Sequence, residues 1–177
     1  MFETRLRVRF HEVDPWGIVW HGHYLSYMEV ARNVLGDEVG LGPADLVAAG
    51  VAAPIVDARI RYVRPACYGD ELRVRLVVER TRTPRLVFHY RVERATSGSG
   101  DEYELLAEGQ TTQVLVALPP RSGGPAPSSV ADVAHATLLF RVPESLKSRL
   151  EGLLARYGSN PEAPWGTASP LPRRRQS

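Results

Sequence analysis

The residues best placed to do chemistry lie in one stretch, 9–32, with the sequence RFHEVDPWGIVWHGHYLSYMEVAR. Asp14 opens the turn Asp-Pro-Trp-Gly, and His21 and Gly22 follow directly before a helical pattern. The N-terminus of a helix offers free backbone N–H groups and a positive dipole end, which can bind an anion or polarise a carbonyl oxygen. A nearby aspartate could act as a nucleophile or as a general base.

Both side chains also have ordinary structural interpretations. Asp-Pro-x-Gly is common turn chemistry, because proline presets φ and glycine accepts positive φ. His21 could cap a helix or bind a metal. Together with His11, Asp14 and His23 it could form a metal site, although the spacing of these residues follows no standard zinc pattern. The residues alone leave these alternatives open.

Two motifs resemble the hotdog-fold acyl-CoA thioesterases, in the branch of the 4-hydroxybenzoyl-CoA and YbgC-type thioesterases. The first runs from Asp14 to Tyr24 as D-P-W-G-I-V-W-H-x-x-Y and is followed by Met-Glu-x-Ala-Arg on the helix. The second runs from Tyr62 to Asp70 as Y-x-x-P-A-x-x-G-D. The resemblance covers residues 4–118 and implies an antiparallel sheet wrapped around a central helix.

The resemblance also implies roles for individual positions. Asp14 stands where the family has its catalytic carboxylate, and His21 stands where the YbgC-type branch has a histidine. In the family, the backbone N–H at this position binds the thioester oxygen. Gly17, His21 and Gly22 are therefore expected around the oxyanion. Some other hotdog branches keep their acid on the helix, which makes Glu29 the reserve carboxylate.

Aromatic residues crowd the same stretch. Their companions are acids and histidines rather than the interleaved basic residues of a nucleic-acid stacking platform, so an apolar acyl pocket fits better. The expected substrate-binding aromatics are Trp16, Trp20 and Tyr24. Phe10 departs from the resembled family, since YbgC-type members often have a tyrosine there. No phenol hydroxyl is therefore expected at that position.

Composition narrows the class of protein. The 22 basic and 20 acidic residues give a formal charge of +2. The three arginines at 173–175 account for more than this excess, so the rest of the chain is close to neutral. The charge therefore gives no indication of nucleic-acid binding. Cys67 is the single cysteine, which excludes an internal disulfide and favours a reducing compartment, the cytoplasm. We see no signal peptide and no apolar run near the roughly 20 residues that a membrane span needs.

Periodicity predicts an α+β fold, with one strand and a helix followed by mainly antiparallel strands. Leu6, Val8 and Phe10 alternate with arginines, which indicates a half-buried first strand. Apolar residues cover almost every face of the segment 23–37, as expected of a helix buried in a larger core. The remaining predicted elements are a short helix at 43–49 and strands at 55–63, 71–82, 85–95 and 103–118.

The C-terminal third departs from this pattern. We predict a hotdog domain over 1–118, a linker or insertion over 119–142, a C-terminal helix over 143–158 and a disordered tail over 159–177. Leucines and a tyrosine form one apolar stripe on the predicted helix, and we expect the stripe to dock on the rest of the chain: Leu146, Leu150, Leu153, Leu154 and Tyr157.

The predicted function is hydrolysis of an acyl thioester of coenzyme A, or of an acyl carrier protein, to a free acid and a thiol. No cofactor or metal is expected, because coenzyme A is part of the substrate and the resembled family uses no metal. The resemblance further implies a homodimer or homotetramer. Two alternatives remain: a hotdog hydratase or dehydratase acting on acyl thioesters, and a non-catalytic domain that binds them.

Overall fold

The chain forms an antiparallel main sheet with one long helix packed against a face of it. The structure is a computed structural model, which describes residues 1–81, 83–96, 102–119, 136–160 and 164–165. In chain order its elements are β1 (Phe2–Arg7), a 3-10 helix (Phe10–Glu12), α1 (His23–Val39), α2 (Pro43–Ala48), β2 (Val51–Ala52), β3 (Ile55–Tyr62), β4 (Glu71–Glu79), β5 (Arg85–Ala95), β6 (Tyr103–Val114), β7 (Val116–Ala117), β8 (Thr137–Leu138), α3 (Glu144–Tyr157) and β9 (Gly158–Ser159).

The strand order of the main sheet is β1-β4-β5-β6-β3, with β9 pairing in parallel beside β4. β4 shows why this sheet has one apolar face. Leu72, Val74 and Leu76 are fully buried against the helix side, while Arg73 and Arg75 point to the other face. Both arginines donate to the buried Glu93 carboxylate on β5, so the outer face carries paired charges.

Helix α1 supplies the centre of the core. Its buried side chains belong to the same cluster as the inner face of the sheet: Tyr24, Tyr27, Met28, Ala31 and Leu35. Gly109 on β6 lets the helix come close, because a Cβ there would lie 2.6 Å from the Met28 Cε. The helix passes through Gly36 and ends at Gly40, whose φ of 68° is left-handed. This arrangement is the predicted hotdog fold of the α+β class.

Two predicted strands are wrong at their ends. The first strand stops at Arg7, and Phe10 begins the 3-10 helix with its ring exposed. The last long strand breaks at Leu115, whose N–H donates to the Pro84 carbonyl at 3.3 Å. The chain then enters a second, small sheet with the order β2-β7-β8. Hydrophobic alternation continues across both breaks, so it gives no sign of them.

Helix α3 docks on its own domain, as expected. Four residues of its stripe are buried and Leu154 is partly buried, and the Tyr157 hydroxyl donates to the Glu38 carboxylate of α1 at 2.8 Å. Two short pairings lie within the segments predicted as insertion and tail. β8 lies inside the predicted insertion, and Ser159 pairs with β4 although the tail was expected to begin there. Trp165 lies 4.8 Å from the Arg91 guanidinium on the outer sheet face.

The predicted loop at 97–101, residues 120–135 and most of the tail fall outside the described residues. The arginines at 173–175 are among them. Within the part of the chain that the structure describes, no helix is both long and apolar enough to cross a membrane.

We predict opposite effects for one added methyl group at two glycines. Gly109→Ala should lower the free energy of unfolding by about 1–3 kcal/mol, because the new Cβ overlaps the buried Met28 side chain. Gly152→Ala should raise it by about 0.5–1 kcal/mol, because the Cβ meets no described atom within 4 Å on α3. Urea denaturation of both variants measures the difference. Equal effects would contradict the close approach of α1 to the sheet.

Candidate active site

The two sequence motifs meet in space, where the loop 8–22 packs against the loop 66–70. The Val8 N–H donates to the Asp70 carbonyl at 2.9 Å, and the Val19 N–H donates to the Ala66 carbonyl at 2.8 Å. Ile18 forms a bridge with Cys67. On α1, the Tyr24 hydroxyl accepts the Ala66 N–H at 2.9 Å. The second motif is therefore the scaffold against which the first one folds.

A buried carboxylate fixes the start of this loop. Glu12 is 3% exposed, and its side chain accepts the Arg9 N–H at 2.7 Å and the Tyr27 hydroxyl at 2.8 Å. Its other oxygen lies 3.2 Å from the Arg9 guanidinium. The Glu12 carbonyl accepts the Trp20 N–H at 2.9 Å. One residue thus joins both ends of the loop to helix α1.

These contacts set the protonation of Glu12. Burial by itself raises the pKa of the carboxyl group, but the hydrogen bonds from Arg9 and Tyr27 and the Arg9 charge outweigh burial and bring the pKa below its ordinary value. Burial and the bond to Glu12 raise the pKa of the Tyr27 phenol. The pair is therefore a carboxylate that accepts and a phenol that donates at neutral pH.

Asp14 closes the turn at the tip of the loop. Its Oδ1 accepts the Trp16 N–H at 2.9 Å. The Gly17 N–H, at a φ of 78°, donates to the Asp14 carbonyl, and the Asp14 N–H donates to the Ile18 carbonyl at 2.8 Å. The carboxylate is half-buried, and its other oxygen has no hydrogen-bond partner among the described residues. The turn role and a chemical role are both compatible with this geometry.

The start of α1 presents unbonded donors. No described residue accepts a hydrogen bond from the backbone N–H of His21 or Gly22, the residues directly before the helix. Gly22 has no room for a side chain, because a Cβ would lie 2.0 Å from the Trp20 ring. The exposed His21 ring lies beside the Trp20 and Tyr62 rings. Two backbone donors that lack acceptors at a helix N-terminus suit a developing oxyanion.

The aromatic residues predicted to bind substrate lie in different environments in the structure. Trp16 is 85% exposed and Trp20 is 50% exposed, so within one protomer they form a surface and not a closed pocket. Phe10 is also exposed and meets Tyr68 edge-on. Tyr24, expected to bind substrate, is instead 2% exposed, and its hydroxyl is occupied by the Ala66 N–H. In this position it holds the two loops together.

Glu29, the reserve acid, lies away from the loop. Its carboxylate pairs with the Arg32 guanidinium at 3.1 Å, three residues further along the helix. Both side chains line a cavity of about 380 Å³ between α1, α2 and the start of β3, to which the loop 8–22 contributes no residue. Glu29 follows His23 by ~9 Å along the helix axis. The structure therefore does not bring Glu29 together with Asp14 in one protomer.

Sequence reasoning missed two residues of this site. Glu12 counted only as an acidic companion of Asp14, and its burial could not be read from a single polar position in an apolar stretch. Tyr62 belonged to the second motif without a role, yet its hydroxyl donates to the His21 carbonyl at 3.0 Å. Within the described residues, no group of three histidines, cysteines or acids is arranged to hold a metal ion.

Comparison with known proteins identifies the class. The model of the thioesterase-like superfamily matches residues 8–150, which include both loops, strands β3 to β6 of the main sheet and half of α3. The chain belongs to this superfamily. This confirms the resemblance drawn from the two motifs and the prediction of a thioester hydrolase.

Individual relatives agree with this assignment. The chain is 36% identical over 90 residues to YneP of Bacillus subtilis, covering 51% of this chain and 65% of YneP. It is 30% identical over 105 residues to 4-hydroxybenzoyl-CoA thioesterase of Pseudomonas sp. strain CBS-3, covering 58% of this chain and 74% of that enzyme. The crystal structure of a hypothetical protein from Thermus thermophilus is similar, with a TM-score of 0.63 and 31% identity. The match covers 86% of this chain and 99% of that protein.

We predict that Glu12→Gln lowers the free energy of unfolding by about 1–3 kcal/mol at neutral pH, because the amide cannot replace the charged acceptor. Since the pKa of Glu12 is lowered in the folded state, its stabilisation is complete above the ordinary value of 4.5 and is lost as pH falls through the folded value. Urea denaturation at neutral and at acidic pH should show the gap to wild type closing in acid.

The control for this prediction is Glu151→Gln, at an exposed position on α3. It should change stability little at either pH. A Glu12→Gln gap that stays constant as the pH falls would contradict the anchoring role of the carboxylate.

Proposed function

We propose that the chain hydrolyses acyl thioesters of coenzyme A, with Asp14 as the catalytic carboxylate and the N–H groups of His21 and Gly22 as the oxyanion donors. The observation that supports this most is that one anchored loop carries both a half-buried aspartate and two backbone donors without acceptors among the described residues. Acyl transfer needs both kinds of group. The relative from Pseudomonas, named a 4-hydroxybenzoyl-CoA thioesterase, supports coenzyme A as the thiol.

Asp14 has two routes to the products. As a general base it takes a proton from water, whose oxygen attacks the thioester carbon. The tetrahedral oxyanion, bound by the two N–H groups, then expels the coenzyme A thiolate, which takes the proton back. As a nucleophile Asp14 forms a mixed anhydride and releases the thiolate, and water then hydrolyses the anhydride. Both routes give a free acid and a thiol without a cofactor or metal.

The active assembly is a homodimer formed through β3. This strand is an edge of the main sheet and carries exposed apolar residues at both ends, among them Ile55, Val56 and Tyr62. Val30 and Val34 are exposed on α1. A bare apolar edge invites pairing with another chain. Antiparallel pairing of two β3 strands would cover this edge and join the main sheets, and two such dimers could assemble further into a tetramer.

Such a dimer would complete the acyl site. In one protomer, the cavity lined by Glu29 and Arg32 borders the Ile55 end of β3, whereas the catalytic loop contacts the Tyr62 end, ~23 Å away along the strand. A twofold axis through paired β3 strands brings the Ile55 end of one protomer to the Tyr62 end of its partner. The apolar cavity, of about 380 Å³, would then receive the acyl group.

Two further features of the proposal follow from the chain itself. The thiol carrier could be an acyl carrier protein instead of coenzyme A, since the chemistry at the carbonyl is the same. The cytoplasm suits Cys67, a free cysteine that is half-buried in the loop next to the site. The exposed aromatic residues Trp16 and Trp20 would contact the pantetheine or the partner protomer.

We expect Asp14→Asn to lower thioester hydrolysis by about 10²-fold or more, because the amide neither accepts a proton nor attacks the carbonyl. The turn should survive, since the Asn oxygen can still accept the Trp16 N–H. The measurement is thiol release from a panel of acyl-CoA substrates with a thiol reagent. The same panel separates hydrolysis from hydration or dehydration and from binding without turnover.

Glu29→Gln is the matched variant for the Asp14 test. It removes the charge of the reserve acid but keeps the shape of the acyl-cavity lining, so most of the turnover should remain when the thermal midpoints of both variants stay near that of wild type. Near-wild-type hydrolysis by Asp14→Asn would overturn the assignment, and a simultaneous loss in Glu29→Gln would transfer the role to Glu29.

For the assembly, we expect Val56→Asp to convert the dimer to monomers and to abolish most of the hydrolysis. Val56 is 58% exposed on the open edge, where a charge opposes pairing. Leu138→Asp on β8 places the same charge at a similarly exposed leucine away from that edge and should leave both properties unchanged. Light scattering at the assay concentration measures the mass. A fully active wild-type monomer would contradict the proposed dimer.

A further inference from the structure

Tyr62 connects the sheet edge with the helix start of the candidate site. It is the last residue of β3 and is 48% exposed, so burial of its side chain does not explain its position. Its hydroxyl donates to the His21 carbonyl at 3.0 Å. Its ring meets the ring of Tyr24 edge-on, with centroids 5.3 Å apart. Packing against the buried Tyr24 thus fixes the orientation of the Tyr62 ring, and this orientation directs the Tyr62 hydroxyl toward the His21 carbonyl.

The carbonyl that Tyr62 holds belongs to the same peptide unit as the Gly22 N–H. A peptide unit is planar and trans, so its C=O and N–H point in opposite directions. A bond that fixes the direction of the His21 carbonyl therefore fixes the direction of the Gly22 N–H. Gly22 needs such a restraint, because glycine has the widest backbone freedom of any residue.

Other backbone groups do not restrain this carbonyl. In a regular α-helical turn the Leu25 N–H would donate to it, but that N–H donates to the Gly22 carbonyl at 3.2 Å instead. The His23 N–H donates to the Trp20 carbonyl at 2.9 Å. This tight first turn leaves the His21 carbonyl with the Tyr62 hydroxyl as its partner among the described residues.

We propose that Tyr62 is a positioning residue of the thioester site, which holds the His21–Gly22 peptide so that the Gly22 N–H stays aimed at the thioester oxygen. This inference rests on the proposed function, because it assigns a purpose to the donor named there. Burial raises the pKa of the Tyr62 phenol, so the hydroxyl remains a donor at alkaline pH. The positioning therefore persists over the pH range in which thioester hydrolysis is assayed.

A purely structural role for Tyr62 predicts different behaviour. Packing of the ring against Tyr24 would be kept in Tyr62→Phe, which removes only the hydroxyl. Tyr68→Phe is the matched control, since Tyr68 is an exposed tyrosine beside Phe10 in the adjacent loop and its hydroxyl bonds no described residue. Each variant loses one oxygen atom, and only one of them loses the bond to His21.

The first measurement is steady-state hydrolysis of an acyl-CoA substrate that wild type turns over. In Tyr62→Phe we expect kcat to fall by about 10-fold or more, less than the 10²–10³-fold of a deleted oxyanion donor, with KM changed less than about twofold. Tyr68→Phe should match wild type in both constants. Equal kcat values in the two variants, or a loss confined to KM, would overturn the inference.

The second measurement does not depend on activity. In the amide ¹H–¹⁵N spectrum of the substrate-free protein, Tyr62→Phe should shift or broaden the Gly22 resonance, and Tyr68→Phe should leave it unchanged. An unchanged Gly22 resonance in Tyr62→Phe would overturn the positioning role even if wild type is a thioesterase. If wild type hydrolyses no thioester while the Gly22 resonance shifts, the contact is upheld, but the proposed function and the catalytic purpose assigned to Tyr62 both fail.

Discussion

The buried Glu12 carboxylate holds the candidate site together. A carboxylate removed from water costs several kcal/mol unless hydrogen bonds and opposite charge compensate it. Here the compensation comes from the Arg9 N–H and guanidinium and from the Tyr27 hydroxyl on α1. Separation of the loop from the helix would break the hydrogen bond between Glu12 and Tyr27. The buried carboxylate therefore helps to set the position of the loop that carries Asp14 and leads into the helix.

The second loop completes this support from the opposite side. The Asp70 side chain accepts the Cys67 N–H at 2.8 Å and the Arg94 guanidinium at 2.7 Å, which ties the loop 66–70 to β5. That loop in turn receives Val8 and Val19 of the first loop. Charge pairs on the sheet, the loop 66–70 and the loop 8–22 thus form one connected network. The second motif, which is weak evidence for the family by itself, therefore has a clear structural role in this network.

The sequence predicted the elements whose signal is local. The apolar alternation of β4 and the all-round apolar character of α1 each follow from residues within a few positions, and both are present. The end of β1 and the break at Leu115 depend on distant partners, such as the Pro84 carbonyl. The helix predicted over 23–37 continues to Val39, and the missing side chain of Gly36 allows close packing against Gly42.

The residues of the candidate site differ in the same way: some could be predicted from local sequence, and others depend on distant partners. Asp14 and His21 could be proposed from the sequence because turn chemistry and the resemblance are readable along the chain. The burial of Tyr24 and the exposure of Trp16 are set by tertiary packing and could not be predicted from type. Glu12 and Tyr62 needed the structure, because their roles consist of bonds to Tyr27 and to a backbone carbonyl that lie far away in sequence.

The position of Tyr62 has a thermodynamic consequence. The residue terminates the strand proposed to join two protomers, and it also touches the peptide proposed to bind the oxyanion. If both proposals hold, subunit association and transition-state binding share one group and are linked, and linkage is reciprocal. A ligand that mimics the tetrahedral intermediate would tighten the dimer by the same factor by which dimerisation tightens the ligand. Dilution would then reduce activity by dissociating the dimer, and such a ligand would oppose that dissociation.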